Sequence, residues 1–159
     1  MFQIGEYVVH KVHGICEIMD IVTIANRKYY KVTPSKDNKL TIYVPYTNEN
    51  DIIRNIMSEQ EANKLIEYMK GIDNDLVVDS KSRRDEFARL LTTGNIYDIA
   101  FLAKKLYILR EEKLKNNRFI GVIDQDTFEN ANNRLIDELS LSLKISKDDV
   151  TALIDKQLR

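Results

Sequence analysis

The sequence predicts an α+β protein in which a small antiparallel β-barrel, residues 1–57, precedes an all-helical domain, residues 58–159. Three observations predict it. Up to about residue 56 the chain is a series of short runs rich in Val, Ile, Tyr and Thr, separated by turn chemistry. Beyond about residue 58 the apolar residues recur at helical spacing instead. The change of period coincides with Ser58 followed by Glu61, the pattern of a helix capping box.

The expected strands are residues 7–10, 15–24, 28–33 and 40–44, with a further short one at 52–56. Gly5-Glu6 precedes the first, and His13-Gly14, Ala25-Asn26-Arg27 and a polar stretch opened by Pro34 and Ser35 separate the others. Short strands at this spacing close into a barrel in which each strand turns one face inward. A barrel this small is near the lower limit for independent stability.

In the helical half, Ala62, Leu65, Ile66 and Met69 line the first helix, which Gly71 ends. Residues 74–79 read as a connection. A second helix starts near Ser80 or Ser82 and carries Phe87, Leu90 and Leu91 toward Gly94. Asn95 caps a third, apolar on more than one side and so expected at the centre of the bundle. Residues 116–121 break it. Asp126 with Glu129 is the expected start of a fourth helix, and Ser146 with Asp149 caps a fifth.

Composition narrows the function classes. The net charge is -1, so any nucleic-acid contact must be a local patch. Residues 81–118 supply such a block, with ten Lys or Arg against five Asp or Glu; it reads either as a site for an anionic partner or as a solvated helix surface. The single cysteine, Cys16, excludes an intramolecular disulfide, suits a reducing compartment and reads as a buried strand residue. With only His10 and His13 beside it, it makes a poor zinc set and a nucleophile without an oriented base. No cofactor and no catalytic residue are expected. The N-terminus has no cationic start leading into an apolar core, and no apolar run approaches the ~20 residues that span a bilayer. The expectation is a cytoplasmic protein with no membrane partner.

The N-terminal run of Phe2, Ile4-Gly5, Val8-Val9, His13-Gly14, Ile18 and Ile21 resembles the RNA-polymerase-interacting domain of CarD-type bacterial transcription regulators and of the transcription-repair coupling factor. The likeness resumes at Tyr30-Lys31-Val32 and over residues 40–45. It continues in the helical half, where Arg83, Gly94-Asn95, Phe128, Ala131, Leu135 and Glu138-Leu139 are similar to the CarD pattern. The chain has no G-x-x-x-x-G-K-[ST] loop, which sets it apart from the motor-bearing coupling factor.

The resemblance implies a Tudor-like, SH3-like β domain that docks on the polymerase β subunit by strand addition, with Val22, Thr23, Ile24 and, on the neighbouring element, Tyr43 at the contact. It further implies a helical domain on promoter DNA at the upstream edge of the transcription bubble, modulating open-complex stability. Family members insert a Trp wedge there, whereas this chain has no Trp. The aligned position is Ser80, or Lys81 one residue on. The wedge is then dispensable, replaced by another side chain, or absent because DNA is bound differently. Largely sequence-independent phosphate contacts would come from Lys81, Arg83, Arg84, Arg89 and Lys104. The alternative is a polymerase-bound adaptor whose helical domain contacts another protein.

Overall fold

The computed structural model describes residues 1–73, 75 and 80–158, with the side chains of residues 48, 80–82, 157 and 158 outside that description. The chain divides into two compact units, Met1–Ile56 and Met57–Arg159. The expected connection at residues 74–79 lies, apart from residue 75, outside the described residues.

The first unit is one antiparallel sheet of β1 (Tyr7–His10), β2 (Gly14–Ile24), β3 (Arg27–Pro34), β4 (Ile42–Pro45) and β5 (Ile53–Asn55), in the order β4-β3-β2-β1-β5. A 3-10 turn, Tyr46–Asn48, and a one-turn helix α1, Glu49–Ile52, join β4 to β5; the sequence reading had no helix there. Alternation decides what is buried. Val8, Cys16, Ile18, Tyr30, Val32, Val44 and Ile53 form the core with Phe2. Tyr30 sits at its centre, stacked on Tyr46 with ring centroids 4.3 Å apart, and its hydroxyl accepts the Phe2 N–H at 3.1 Å. Burial pushes the Tyr30 hydroxyl up to about 12 and the Cys16 thiol up to about 11.

Two turns fix the sheet. Ala25 and Asn26 form a two-residue hairpin loop with φ of 50° and 64°, both left-handed. At the β1–β2 turn, His10 Nδ1 accepts the N–H groups of Val12 at 3.1 Å and His13 at 3.2 Å. That nitrogen is therefore an acceptor held by the main chain.

The second unit is a helical bundle of α2 (Glu59–Lys70), α3 (Ser80–Thr92), α4 (Ile96–Lys115), α5 (Val122–Leu143) and α6 (Lys147–Leu158). The capping box at α2 forms as its sequence predicts: Ser58 Oγ accepts the Glu61 N–H and Glu61 Oε2 accepts the Ser58 N–H. Asn95 caps α4 through the Tyr97 N–H, and Ser146 Oγ accepts the Asp149 N–H at the start of α6. Buried Glu138 reaches from α5 to the Met57 N–H at 3.1 Å, and Ser142 donates to the Ser58 carbonyl at 2.9 Å. These bonds fasten the first turn of α2 to α5. The core is built around α4, whose Ile99, Leu102, Ala103 and Leu106 meet Leu65, Met69, Phe87, Ala131, Leu135 and Leu139.

One boundary differs from expectation. α5 starts at Val122 behind Gly121, which supplies no side-chain cap, and not at Asp126. The reason is tertiary: Asp124, in the first turn, is buried against Arg83 of α3.

Candidate functional site

The central strand of the sheet outruns its neighbour. β1 pairs with β2 only from Gly14 to Glu17, and the last main-chain bonds on that side run from Gly5 N–H to the Ile18 carbonyl at 2.7 Å and from Ile18 N–H to the Glu6 carbonyl at 2.9 Å. Beyond a register shift at Met19, residues 20–24 of β2 pair with β3 alone among the described residues. This half of β2 is an open strand edge of the kind that templates pairing with another chain.

The hairpin loop decides which groups face that edge. A two-residue loop makes Ile24 and Arg27 a hydrogen-bonded pair, so Val22 and Tyr29 are the next one, and the main-chain groups of Ile21 and Thr23 turn the other way. The Ile21 N–H accordingly finds no acceptor on β3 and donates to the side chain of Asp20 at 2.8 Å.

Of the residues expected at a polymerase contact, Val22, Thr23 and Ile24 therefore lie on the open edge. Tyr43 does not neighbour them directly: it is on β4, with β3 between, paired to Lys31. Cross-strand registers nevertheless put Val22, Tyr29 and Ile24 on one face with Lys31 and Tyr43, the face opposite the core residues Tyr30, Val32 and Val44. Ile24 and Tyr43 are each 49% exposed. Tyr29 and Lys31 lie between them on β3, and only the strand register places these two on that face.

The basic residues expected at DNA fall into different groups. Arg83 is buried, with Nη2 3.0 Å from Asp124 Oδ2. Lys104 is also buried, and its ammonium donates to the carbonyls of Met69 at 2.6 Å and Ile72 at 3.0 Å, where it caps the end of α2. Burial, with the neighbouring Lys105, pushes its pKa down. Both cations hold the bundle together and neither presents its charge to solvent, which departs from a phosphate-binding role. Charge patterning along a helix cannot reveal this, because their partners are distant in sequence. Arg84 and Arg89 are exposed, and Arg89 is paired to Glu86 at 2.7 Å. The side chains of Ser80 and Lys81 lie outside the described residues.

No helix among the described residues is long and apolar enough to cross a membrane, and no group of three or more His, Cys, Asp or Glu residues among them is placed to hold a metal ion.

Comparison with known proteins covers both units. Residues 2–57 match the family model of the CarD-like/TRCF RID domain, and residues 64–155 match that of the CarD C-terminal domain. No curated protein matches the chain.

Proposed function

We infer, from the premise that this chain belongs to the CarD family of RNA-polymerase-interacting, transcription-associated proteins, that it binds the polymerase β subunit through the open edge of β2 and contacts promoter DNA through its helical unit. The observation that carries the reading is the length mismatch between β1 and β2, which leaves residues 20–24 without a strand on that side and the main-chain groups of Ile21 and Thr23 facing outward. A strand of the partner added there gains main-chain bonds, while Ile24, Val22, Tyr29 and Tyr43 give it an apolar surface to read. Contact on the DNA side rests on backbone phosphates, with Arg84 and Arg89 facing solvent on α3. Binding the open promoter complex better than the closed one shifts that equilibrium by the difference in affinity, whether the outcome is activation or slower escape.

The test is a binding titration of the full chain with the β lobe of RNA polymerase. Ile24→Glu and Tyr43→Glu are expected to weaken binding at least tenfold, about 1.4 kcal/mol, with unchanged circular dichroism. Absence of binding by the unaltered chain would remove the reading. Burial of Arg83 and Lys104 favours a second one, in which the helical unit meets another protein instead of DNA. Polymerase-dependent, salt-sensitive binding to a promoter duplex separates the two.

A further inference from the structure

The turn between α4 and α5 combines two features that oppose each other on an ordinary protein surface. It is apolar and exposed: Phe119 in the short connection is 84% exposed, and Val122 and Ile123 in the turn of helix that follows are 77% and 60% exposed. It is also basic. Lys113 and Lys115 end α4, Arg118 immediately precedes Phe119, and Arg84 comes across from α3, its Nη2 3.5 Å from where a Cβ on Gly121 would stand. None of these four cations forms an ion pair among the described residues.

The local backbone explains the exposure. α4 closes with the Asn117 N–H on the Leu114 carbonyl at 3.1 Å and the Arg118 N–H on the Lys113 carbonyl at 2.8 Å, with Asn117 left-handed at φ 58°. This is the Schellman arrangement. In that motif the residue two past the cap is commonly apolar and folds back on the helix. Here that residue is Arg118, and the apolar Phe119 comes one position later, where it has left the helix. Ile120 is the residue of the turn that packs on the bundle core. The geometry of the turn is hydrogen-bonded, so Phe119 is held out by a defined backbone.

We propose that this turn is the apolar contact of the helical unit with duplex DNA: Phe119, backed by Val122 and Ile123, enters the minor groove against a base step, and Arg84, Lys113, Lys115 and Arg118 hold the flanking phosphates. The proposal rests on the reading that the helical unit meets DNA, and it names the side chain and the groove. An exposed apolar residue with cations on the adjoining helix end, in the turn itself and across from it on α3 suits a polyanion whose base steps can be unstacked, and unstacking is offset by the wider contact that the distorted duplex permits. The buried Arg83–Asp124 pair ties the beginning of α3, where Ser80 and Lys81 lie, to the beginning of α5 beside this turn. Phe119 thus stands at the same end of the bundle as the position that lacks a Trp. Two other occupants fit less well. A second copy of the chain would bring like charges together across a two-fold axis. A lipid surface engages an extended apolar helix face, whereas the apolar faces of α4 and α5 turn into the bundle core.

The experiment titrates the full chain onto RNA polymerase alone and onto the same polymerase assembled on a promoter duplex, at several salt concentrations. The ratio of the two affinities isolates the DNA contribution. A ratio near one for the unaltered chain would overturn the reading that the helical unit meets DNA, and the proposal with it. With a ratio above one, Phe119→Ser is expected to remove roughly three- to tenfold of affinity on the promoter complex while leaving affinity for polymerase alone and the thermal unfolding curve unchanged. Phe119→Trp is expected to keep or raise the ratio. Arg118→Gln is expected to lower the salt slope by about one. An undiminished ratio for Phe119→Ser would overturn the assignment of the turn while sparing the DNA reading. Phe119-dependent sedimentation with phosphatidylglycerol vesicles, or Phe119-dependent dimers, with an unchanged ratio would overturn it in favour of those partners.

Discussion

Arg83 and Asp124 meet at 3.0 Å inside the helical unit, their side chains 7% and 3% exposed, although 41 residues separate them along the chain. The pair joins the first turns of α3 and α5. It also accounts for two departures from what the sequence suggests: an arginine in a basic block that turns inward, and a helix that starts without a side-chain cap. The charge of Asp124 in the first turn of α5 is favourable to the helix dipole, and Arg83 neutralises it in the core.

A buried pair of this kind is costly to halve. Arg83→Met and Asp124→Leu are each expected to destabilise the chain by about 3–5 kcal/mol, because each leaves a buried charge without its partner. The double variant is expected to recover most of that loss. Urea denaturation of the three variants measures it, and additive losses in the double variant would contradict a mutual dependence.

The β2–β3 hairpin loop carries a different liability. Ala25 is held at φ 50°, where an L side chain costs roughly 1–2 kcal/mol and asparagine is better tolerated. Ala25→Asn or Ala25→Gly is therefore expected to raise stability by about 0.5–1 kcal/mol. Thermal unfolding reads the gain. Because residue 25 lies in the loop beyond the paired residues of β2, affinity for polymerase is expected to stay the same.

Cys16 gives a pH dependence with a definite sign. Burial raises the thiol from 9.0 to about 11 in the folded chain. Between those two pH values the folded state holds a proton that the unfolded state releases, so stability is expected to fall as pH rises through that window and to be unaffected by this group below it. Tyr30, pushed up to about 12, adds to the loss at the alkaline end. The same burial protects the thiol: alkylation by iodoacetamide near pH 8 is expected to be slow in the native chain and fast in urea. Rapid native alkylation would show that the sheet opens locally around Cys16.

What the sequence made legible follows from how local each determinant is. The strands were bounded by their turns, and β1 and β2 emerged with their unequal lengths, so even the open edge was implicit in the run at 15–24 set beside that at 7–10. The caps at Ser58, Asn95 and Ser146 bond within three residues and were readable for the same reason. The roles of Arg83 and Lys104 were not readable, because their partners lie 41 and about 35 residues away and a charged residue on a helix reads as surface. Tyr43 was placed one strand too close to β2, since order within a sheet depends on pairing and not on chain position. Phe119 carries a signal in the sequence: a large aromatic inside the helix break at 116–121, directly after Arg118 and shortly after Lys113 and Lys115.

The open edge permits a test that separates main-chain pairing from side-chain packing. The Thr23 N–H faces away from β3, so a proline at 23 removes no bond of the hairpin, and edge positions of this type tolerate proline. The Val22 N–H faces Tyr29, so a proline there removes a ladder bond. Thr23→Pro is therefore expected to keep a near-native melting curve yet weaken binding to the polymerase β lobe by roughly tenfold or more, by deleting one donor and blocking the approach of a partner strand. Val22→Pro is expected to destabilise the sheet itself by about 3 kcal/mol. Thr23→Ala, which keeps the N–H, is expected to bind nearly as well as the unaltered chain. Should Thr23→Pro bind normally while Ile24→Glu does not, the contact would lie on the face formed by Ile24, Tyr29 and Tyr43, with no strand added at the edge.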